Sequence, residues 1–333
     1  MDIVAVTPTN VYDTYKMKYL LESSVKNNIT IDIIGLNKKF SWLNRMIWFQ
    51  DYLKCVPSNV NQIVCFTDAY DVFYIDNLEV IKDKFISFGK KIVWSVEKMY
   101  THQLHCDKQF YEELGKVSNG YIFLNAGTFI GYKNELLELF NDIIDGSLKD
   151  PVFINELRES IGIYDNADIP GLDQTWISHH LVKHWNKYDI ALDYKCSIFY
   201  VATGEDWYNL DNFVDDNLCL KFSDKKPSIV HAPYKSEFEY VLVDLYSRIA
   251  GEECKPYLFN KKYSWEEHTI TFLKNNKVIA FGNGRYSYID DNMIKAYFGG
   301  REHLIIFNKD YSSFISVRKD DNEIVNGLFL LGL

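Results

Sequence analysis

Hydrophobic and polar positions along the N-terminal part of the chain predict strands and helices in turn. Residues 3–6 form a short apolar run, residues 29–36 alternate isoleucine with polar positions, and residues 62–67 form a buried, strand-length run. The segments between these runs have apolar residues at helical spacing. Ser41 is a candidate N-cap for a helix over residues 41–52. The repeated strand–helix order predicts an α/β fold, with a parallel sheet covered by helices on both faces.

Three polar side chains lie at the carboxyl ends of predicted strands. Thr7 follows the first strand, Asp68 follows the strand over residues 62–67, and Glu97 ends a strand over residues 91–97. Ligands of open α/β sheets bind beside the carboxyl ends of the strands. We therefore expect these three side chains to share one rim.

The pattern changes toward the C-terminus. Residues 121–132 predict a strand, a turn and a second strand. After about residue 256, short strand-like runs are separated by Asn, Gly and Asp, which is typical of a small antiparallel β module. We expect an α/β domain over residues 1–255 and a β-rich module over residues 256–333.

The charge of the chain narrows the classes of partner. The formal net charge is −10 at pH 7. An acidic surface repels a phosphate backbone, so we do not expect a nucleic-acid partner.

No basic segment precedes the first apolar run, and no run reaches the roughly 20 apolar residues that span a bilayer. We expect a soluble chain without signal peptide or membrane span, in the cytoplasm of the producing or host cell.

Asp68 and Asp71 are the strongest candidates for chemistry. Two carboxylates three positions apart at the end of a buried strand can converge across a tight turn. Hard oxygen ligands suit Mg²⁺ or Mn²⁺, and such a metal can neutralise a leaving diphosphate. The alternative is that both side chains only cap a turn, and spacing alone leaves both interpretations open.

Five segments follow Thr7 in a fixed order: FTDAYDVFY, FLNAGTFIGY, LDQTWIS, LDYKCSIF and SIVHAP. This series resembles the glycosyltransferase domain of procollagen lysyl hydroxylases and related collagen glycosyltransferases, over roughly residues 1–240. The resemblance implies a GT-A-type fold with a Rossmann-like nucleotide half, and a viral member of the family is one candidate.

The resemblance also implies roles for individual residues. The metal ligands would be Asp68, Asp71 and His231. Glu97 would face the acceptor, and Asp173 with Gln174 would contact the donor sugar and contribute to catalysis. The remaining contacts to the nucleotide-sugar would come from Thr7 and Tyr70 at the uridine, Lys39 at the diphosphate, Trp42 beside the uridine, and Asn125 at the sugar.

The segment after His231 departs from the family pattern. The family has His-Gly-Asn-Gly, whereas this chain has His231-Ala232-Pro233-Tyr234. Lys235 would then replace lost contacts to phosphate.

The activity implied is Mn²⁺-dependent transfer of glucose from UDP-glucose to galactosyl-hydroxylysine on a collagen-like chain, with retention of configuration. Asp173 is the candidate nucleophile for a double displacement, and a front-face route would need none. Two alternatives stay open: transfer from UDP-galactose to hydroxylysine, and a non-catalytic sugar-binding scaffold.

Two further features admit less specific interpretations. His180 and His184 are four positions apart on a predicted helix, and His102, His105 and Cys106 form an H-x-x-H-C segment, so zinc is conceivable at each. Neither segment completes a ligand set, and a structural role is favoured for both.

The apolar segment over residues 327–333 either completes the core of the β module or forms an interface between two copies of the chain. We expect a homodimer.

Overall fold

The computed structural model describes residues 2–56, 62–116, 119–161, 169–204, 206–215, 217–233, 241–242, 245–246, 248, 262–273, 277–289, 292–308 and 312–330. The chain divides into two compact units, Met1–Phe238 and Glu239–Leu333. The boundary predicted between residues 255 and 256 lies outside the described residues.

A six-stranded sheet forms the centre of the first unit. Its strands are β1 (Ile3–Pro8), β2 (Ile31–Ile34), β3 (Ile63–Thr67), β5 (Ile92–Glu97), β6 (Phe123–Tyr132) and β7 (Ile190–Leu192), with β4 (Val72–Tyr74) outside it. The order across the sheet is β2-β1-β3-β6-β5-β7. This mixed α/β arrangement confirms the predicted Rossmann-like fold class.

One strand corrects the prediction of a wholly parallel sheet. β6 runs antiparallel to both β3 and β5, whereas the other pairings of this sheet are parallel. The prediction of strand, turn and strand over residues 121–132 is also wrong, because β6 is continuous. An irregularity in its pairing with β5, between Trp94 and Val96, lets β6 pass the middle of the segment without turning.

Eight α-helices can be assigned among the described residues of the first unit. They are α1 (Lys18–Lys26), α2 (Trp42–Cys55), α3 (Leu78–Ser87), α4 (Lys108–Leu114), α5 (Lys133–Asn141), α6 (Pro151–Ile161), α7 (Asp173–His184) and α8 (Asp206–Phe213). Ser41 caps α2 as predicted, since its side chain accepts a hydrogen bond from Asn44 N at 3.0 Å. The ring of Phe49 in α2 packs 4.9 Å from that of Phe66 in β3, which fixes the helix against the sheet.

A second, three-stranded sheet has the order β4-β9-β8, where β8 is Phe199–Val201 and β9 is Ile229–His231. β9 pairs antiparallel with β4, so that His231 lies opposite Val72. The segment just after Asp71 is thereby held beside the end of β9.

The second unit contains a closed antiparallel barrel of eight strands. They are β10 (Lys262–Trp265), β11 (His268–Phe272), β12 (Lys277–Ile279), β13 (Asn283–Tyr288), β14 (Met293–Phe298), β15 (Arg301–Phe307), β16 (Ser313–Arg318) and β17 (Ile324–Phe329). Aromatic side chains fill its interior, including Tyr263, Phe272 and Phe314. The predicted antiparallel module is confirmed.

The position of β17 shows whether the apolar C-terminal segment contributes to the core of the β module. This strand pairs with β10 as well as β16 and so closes the barrel. Val325 is buried, whereas Ile324 and Leu328 are exposed. The apolar C-terminal segment therefore contributes one face to the core of the barrel, and residues 331–333 lie outside the described residues.

Within the described ranges, no helix combines the length and the apolar character needed to cross a membrane.

Candidate functional site

Asp68, Asp71 and His231 converge at one end of the first unit. The Nε2 atom of His231 lies 3.5 Å from Oδ2 of Asp68 and 3.5 Å from Oδ1 of Asp71. One candidate ligand atom from each side chain lies within 4.8 Å of the others. Two carboxylates and one imidazole at these separations can hold a divalent cation.

Backbone pairing explains why residues so distant in sequence meet here. Asp68 follows β3, and its N–H donates to the carbonyl of Gly127 in β6 at 2.8 Å. Asp71 precedes β4, and its carbonyl accepts from the N–H of Ala232 at 2.8 Å. The turn between β3 and β4 is thus held on one side by β6 and on the other by β9.

Two observations support the fit of this cluster to a cation. The His231 Nε2 atom is buried and has no hydrogen-bond partner among the described residues, while Nδ1 lies 3.1 Å from Oδ1 of Asn125. That oxygen also accepts from the N–H of Gly127, so it is the acceptor for Nδ1–H, and Nε2 is left with its lone pair. A Cβ at Gly127 would lie 2.2 Å from Cε1 of His231 and 2.8 Å from Oδ2 of Asp68, so only glycine leaves room for both side chains.

The charges of the cluster affect one another. Burial raises the pKa of the Asp68 carboxyl to about 6, against the opposing charge of Arg45. Burial lowers the pKa of His231, but the neighbouring Asp71 and Asp68 outweigh it, and the net shift is upward. A bound cation would compete with the protons on Asp68 and His231.

A buried polar network extends from this cluster toward β5. Glu97 is buried, and its Oε1 accepts from Nδ2 of Asn125 at 3.1 Å and from Nε2 of Gln174 at 2.9 Å. Gln174 Oε1 in turn accepts from the N–H of Ala126. Burial raises the pKa of Glu97 to about 7, although these hydrogen bonds oppose the shift. Three predicted site residues, Glu97, Asn125 and Gln174, are therefore in direct contact.

Arg45 is a prominent site residue that the sequence analysis missed. Its guanidinium is buried in the first unit and forms ion pairs with both Asp68 and Asp173. Asp173 begins α7, and its Oδ1 also accepts from the N–H of Gln174 at 2.8 Å. Arg45 thus connects the candidate metal cluster to the predicted donor-sugar residues. The only sequence signal was a cation among the apolar positions of α2.

The other predicted nucleotide contacts are less closely grouped. The Thr7 hydroxyl is buried and donates to the carbonyl of Thr67 at 2.8 Å. The Tyr70 hydroxyl lies 2.7 Å from that of Thr9. Lys39 is exposed, and Trp42 is partly exposed with its ring 5.2 Å from that of Phe40. Lys235 lies outside the described residues.

Two solved structures align with about 70% of this chain at low similarity. A glycosyltransferase involved in the glycosylation of the major capsid of PBCV-1 aligns over 70% of this chain and 94% of its own, with a TM-score of 0.40 and 11% identity. Mouse xyloside xylosyltransferase 1, in its apo form, aligns over 71% of this chain and 99% of its own, with a TM-score of 0.41 and 10% identity.

Three sequence relatives each match less than half of this chain. The procollagen-lysine,2-oxoglutarate 5-dioxygenase of Drosophila melanogaster is 26% identical over 46% of this chain, and an uncharacterized protein of Acanthamoeba polyphaga mimivirus is 28% identical over 44%. The multifunctional procollagen lysine hydroxylase and glycosyltransferase of Caenorhabditis elegans is 26% identical over 40%. The matches span 21%, 26% and 19%, respectively, of these relatives' own length.

The family model of the PLOD GT domain matches residues 2–157, which include Asp68 and Asp71. The N-terminal part of the chain is therefore similar to the glycosyltransferase domain of the PLOD family, which the procollagen lysyl hydroxylases also contain.

Proposed function

We propose that the protein transfers a sugar from a UDP-sugar in a reaction that depends on a divalent metal, with Mn²⁺ as the cation. The observation that carries the proposal is the convergence of Asp68, Asp71 and His231, with His231 Nε2 3.5 Å from an oxygen of each carboxylate. When bound there, the cation neutralises charge on the leaving diphosphate.

The side chains around the cluster have separate tasks in this proposal. Asp68, Asp71 and His231 hold the cation, and Lys39 supplies a positive charge for the diphosphate. The rings of Tyr70 and Trp42 border the uridine. Thr7 contacts the base and Lys235 the phosphate.

The sugar of the donor lies against the buried network. Asn125, Gln174 and Asp173 read its hydroxyl groups by directional hydrogen bonds. Glu97 faces the acceptor side and holds the amides of Asn125 and Gln174 in place. The Asp173 carboxylate is engaged in an ion pair with Arg45, which favours a front-face route in which Asp173 orients the sugar and the departing diphosphate takes the acceptor proton.

The proposed donor is UDP-glucose, and the proposed acceptor is galactosyl-hydroxylysine on a collagen-like chain. Two of the sequence relatives are named for their action on procollagen lysine, which supports an acceptor of this class. Transfer of galactose from UDP-galactose to hydroxylysine is the nearest alternative, and a non-catalytic sugar-binding scaffold is the alternative from another class.

A donor competition assay separates these possibilities. The purified chain is given Mn²⁺, a collagen peptide bearing galactosyl-hydroxylysine or one bearing bare hydroxylysine, and equal amounts of UDP-glucose and UDP-galactose. We expect glucose on the first peptide, detected by mass spectrometry. Galactose transfer to the second peptide alone would contradict the glucosyl assignment. Absence of UDP release with every donor would favour the scaffold.

A further inference from the structure

A second group of metal-ligating side chains lies outside the site described above. Cys106, Asp107 and His179 each offer a ligand atom within 4.8 Å of the other two. Asp107 and His179 are buried, whereas Cys106 is exposed. The H-x-x-H-C segment thus contributes only its cysteine to this group, and the missing ligands come from the next residue and from α7.

The distances within this group suit a tetrahedral cation. Nδ1 of His179 lies 3.0 Å from Oδ1 of Asp107, and Sγ of Cys106 lies 3.6 Å from the same oxygen. Ligand atoms around a tetrahedral zinc ion, bound at about 2.0–2.3 Å, are separated from one another by about 3–4 Å. The three atoms therefore need little movement to share one ion.

A carboxylate holds the far side of the imidazole. Nε2 of His179 lies 3.0 Å from Oε2 of Glu156, and Lys183 pairs with that same carboxylate. When Nε2–H donates to Glu156, Nδ1 is the ring nitrogen that carries the lone pair. Zinc-binding histidines are oriented by such a carboxylate in many proteins.

We propose that Cys106, Asp107 and His179 bind Zn²⁺ or a similar transition metal, with Glu156 orienting the histidine. A thiolate, an imidazole and a carboxylate together favour zinc over the hard cations that suit the site at Asp68. Three protein ligands leave one coordination position for a water molecule. Water can reach this position because Cys106 is exposed to solvent. The alternative to a metal is a proton on Nδ1, in which case His179 is an imidazolium cation paired with the carboxylates of Asp107 and Glu156.

The bound metal would link two segments beside the proposed sugar-binding residues, namely the segment after Glu97 and helix α7. Cys106 and Asp107 end the segment that begins after Glu97, while His179 lies on the helix that starts at Asp173. This segment already contacts α7, since Gln174 Nε2 donates to the carbonyl of Thr101 at 2.9 Å. A metal bound by Cys106, Asp107 and His179 would attach this segment to α7 at a second point, further along the helix.

Cobalt titration of the whole chain tests the proposal, because Co²⁺ bound to a thiolate gives a charge-transfer band in the near ultraviolet. The residues at Asp68, Asp71 and His231 include no thiol, so the band reports only a cysteine site. We expect the metal-stripped protein to develop this band and to lose it on addition of Zn²⁺. Cys106→Ser should abolish the band, whereas the control Cys219→Ser should keep it.

Glu156→Gln gives an independent check on the orienting carboxylate. The variant should retain the band but bind Co²⁺ about 10–100-fold more weakly. No band in the unaltered protein, or a band that persists in Cys106→Ser, would overturn the site and leave His179 as an ion-paired histidine. An unchanged affinity in Glu156→Gln would overturn the role of Glu156.

Discussion

Arg45 shows at the residue scale what a single side chain contributes to the candidate site. Its ion pairs reach Asp68 on one side and Asp173 on the other, and both Arg45 and Asp173 are buried. The acidic site residues could be predicted from the sequence because they stand in ordered motifs. Arg45 could not, because a lone cation in a helix carries no pattern, and its partners are known only once the chain is folded.

Removal of the Arg45 charge should destabilise the protein strongly. Arg45→Met leaves two carboxylates without their cation, and loss of one partner from a buried ion pair costs about 3–5 kcal/mol. Lys90→Met is the matched control, because its pair with Asp189 is exposed and contributes less than about 1 kcal/mol. Urea unfolding measures both variants. Equal free energies of unfolding for the two would contradict the role given to Arg45.

Glu97 predicts a pH-dependent stability. Its pKa of about 7 in the folded chain exceeds the ordinary value of 4.5, so the folded state binds the proton more tightly than the unfolded state does. The free energy of unfolding should therefore fall as the pH rises from about 4.5 to about 7 and stay lower above that.

Glu97→Gln removes this penalty while keeping an oxygen for Asn125 and Gln174. With metal removed by a chelator, the variant should be more stable than the unaltered chain by up to about 3 kcal/mol at pH 8, and the difference should vanish near pH 4. Denaturant unfolding at both pH values measures it. A difference that does not depend on pH would show that Glu97 is ionised throughout.

The strands and helices show, at the element scale, where sequence patterns stop being informative. The capping residue of α2 and the strand before Asp68 followed from local chemistry, and the structure has both. The direction of β6 did not follow, because the alternation of side chains is the same in a strand that runs either way. Its antiparallel course brings Gly127 against the candidate metal cluster.

The close approach of β6 to this cluster can be tested at Gly127. In Gly127→Ala the new methyl group would displace His231 and Asp68, so Mn²⁺ affinity should fall at least about tenfold. Gly146→Ala is the control, because a Cβ there meets nothing within 4 Å. Isothermal titration with Mn²⁺ compares them. Equal affinities would mean that β6 does not constrain the ligands.

On the scale of the whole molecule, the chain combines an α/β unit that resembles glycosyltransferase domains with an eight-stranded barrel. The change of pattern after about residue 256 predicted a β module, but closure could not be predicted, since it depends on pairing between the first and last strands, β10 and β17. The family model matches residues 2–157, which lie within the first unit.

The homodimer expected from the sequence stays a prediction. Ile306, Ile315 and Leu328 are exposed apolar side chains on the outside of β15, β16 and β17, and burying them against a second copy would remove them from water. Light scattering of the full chain should give the mass of two copies, and Ile315→Lys should shift it toward one. A monomeric full chain at micromolar concentration would contradict the prediction.

Asp68, Asp71 and His231 are proposed to hold the metal that the transfer reaction needs. Mn²⁺ binding, followed by electron paramagnetic resonance alongside UDP release from UDP-glucose, tests it most directly. Asp71→Asn should lose both the bound Mn²⁺ and the turnover while its circular dichroism stays unchanged, and the surface control Asp83→Asn should keep both. Full Mn²⁺ binding and turnover in Asp71→Asn would contradict the account.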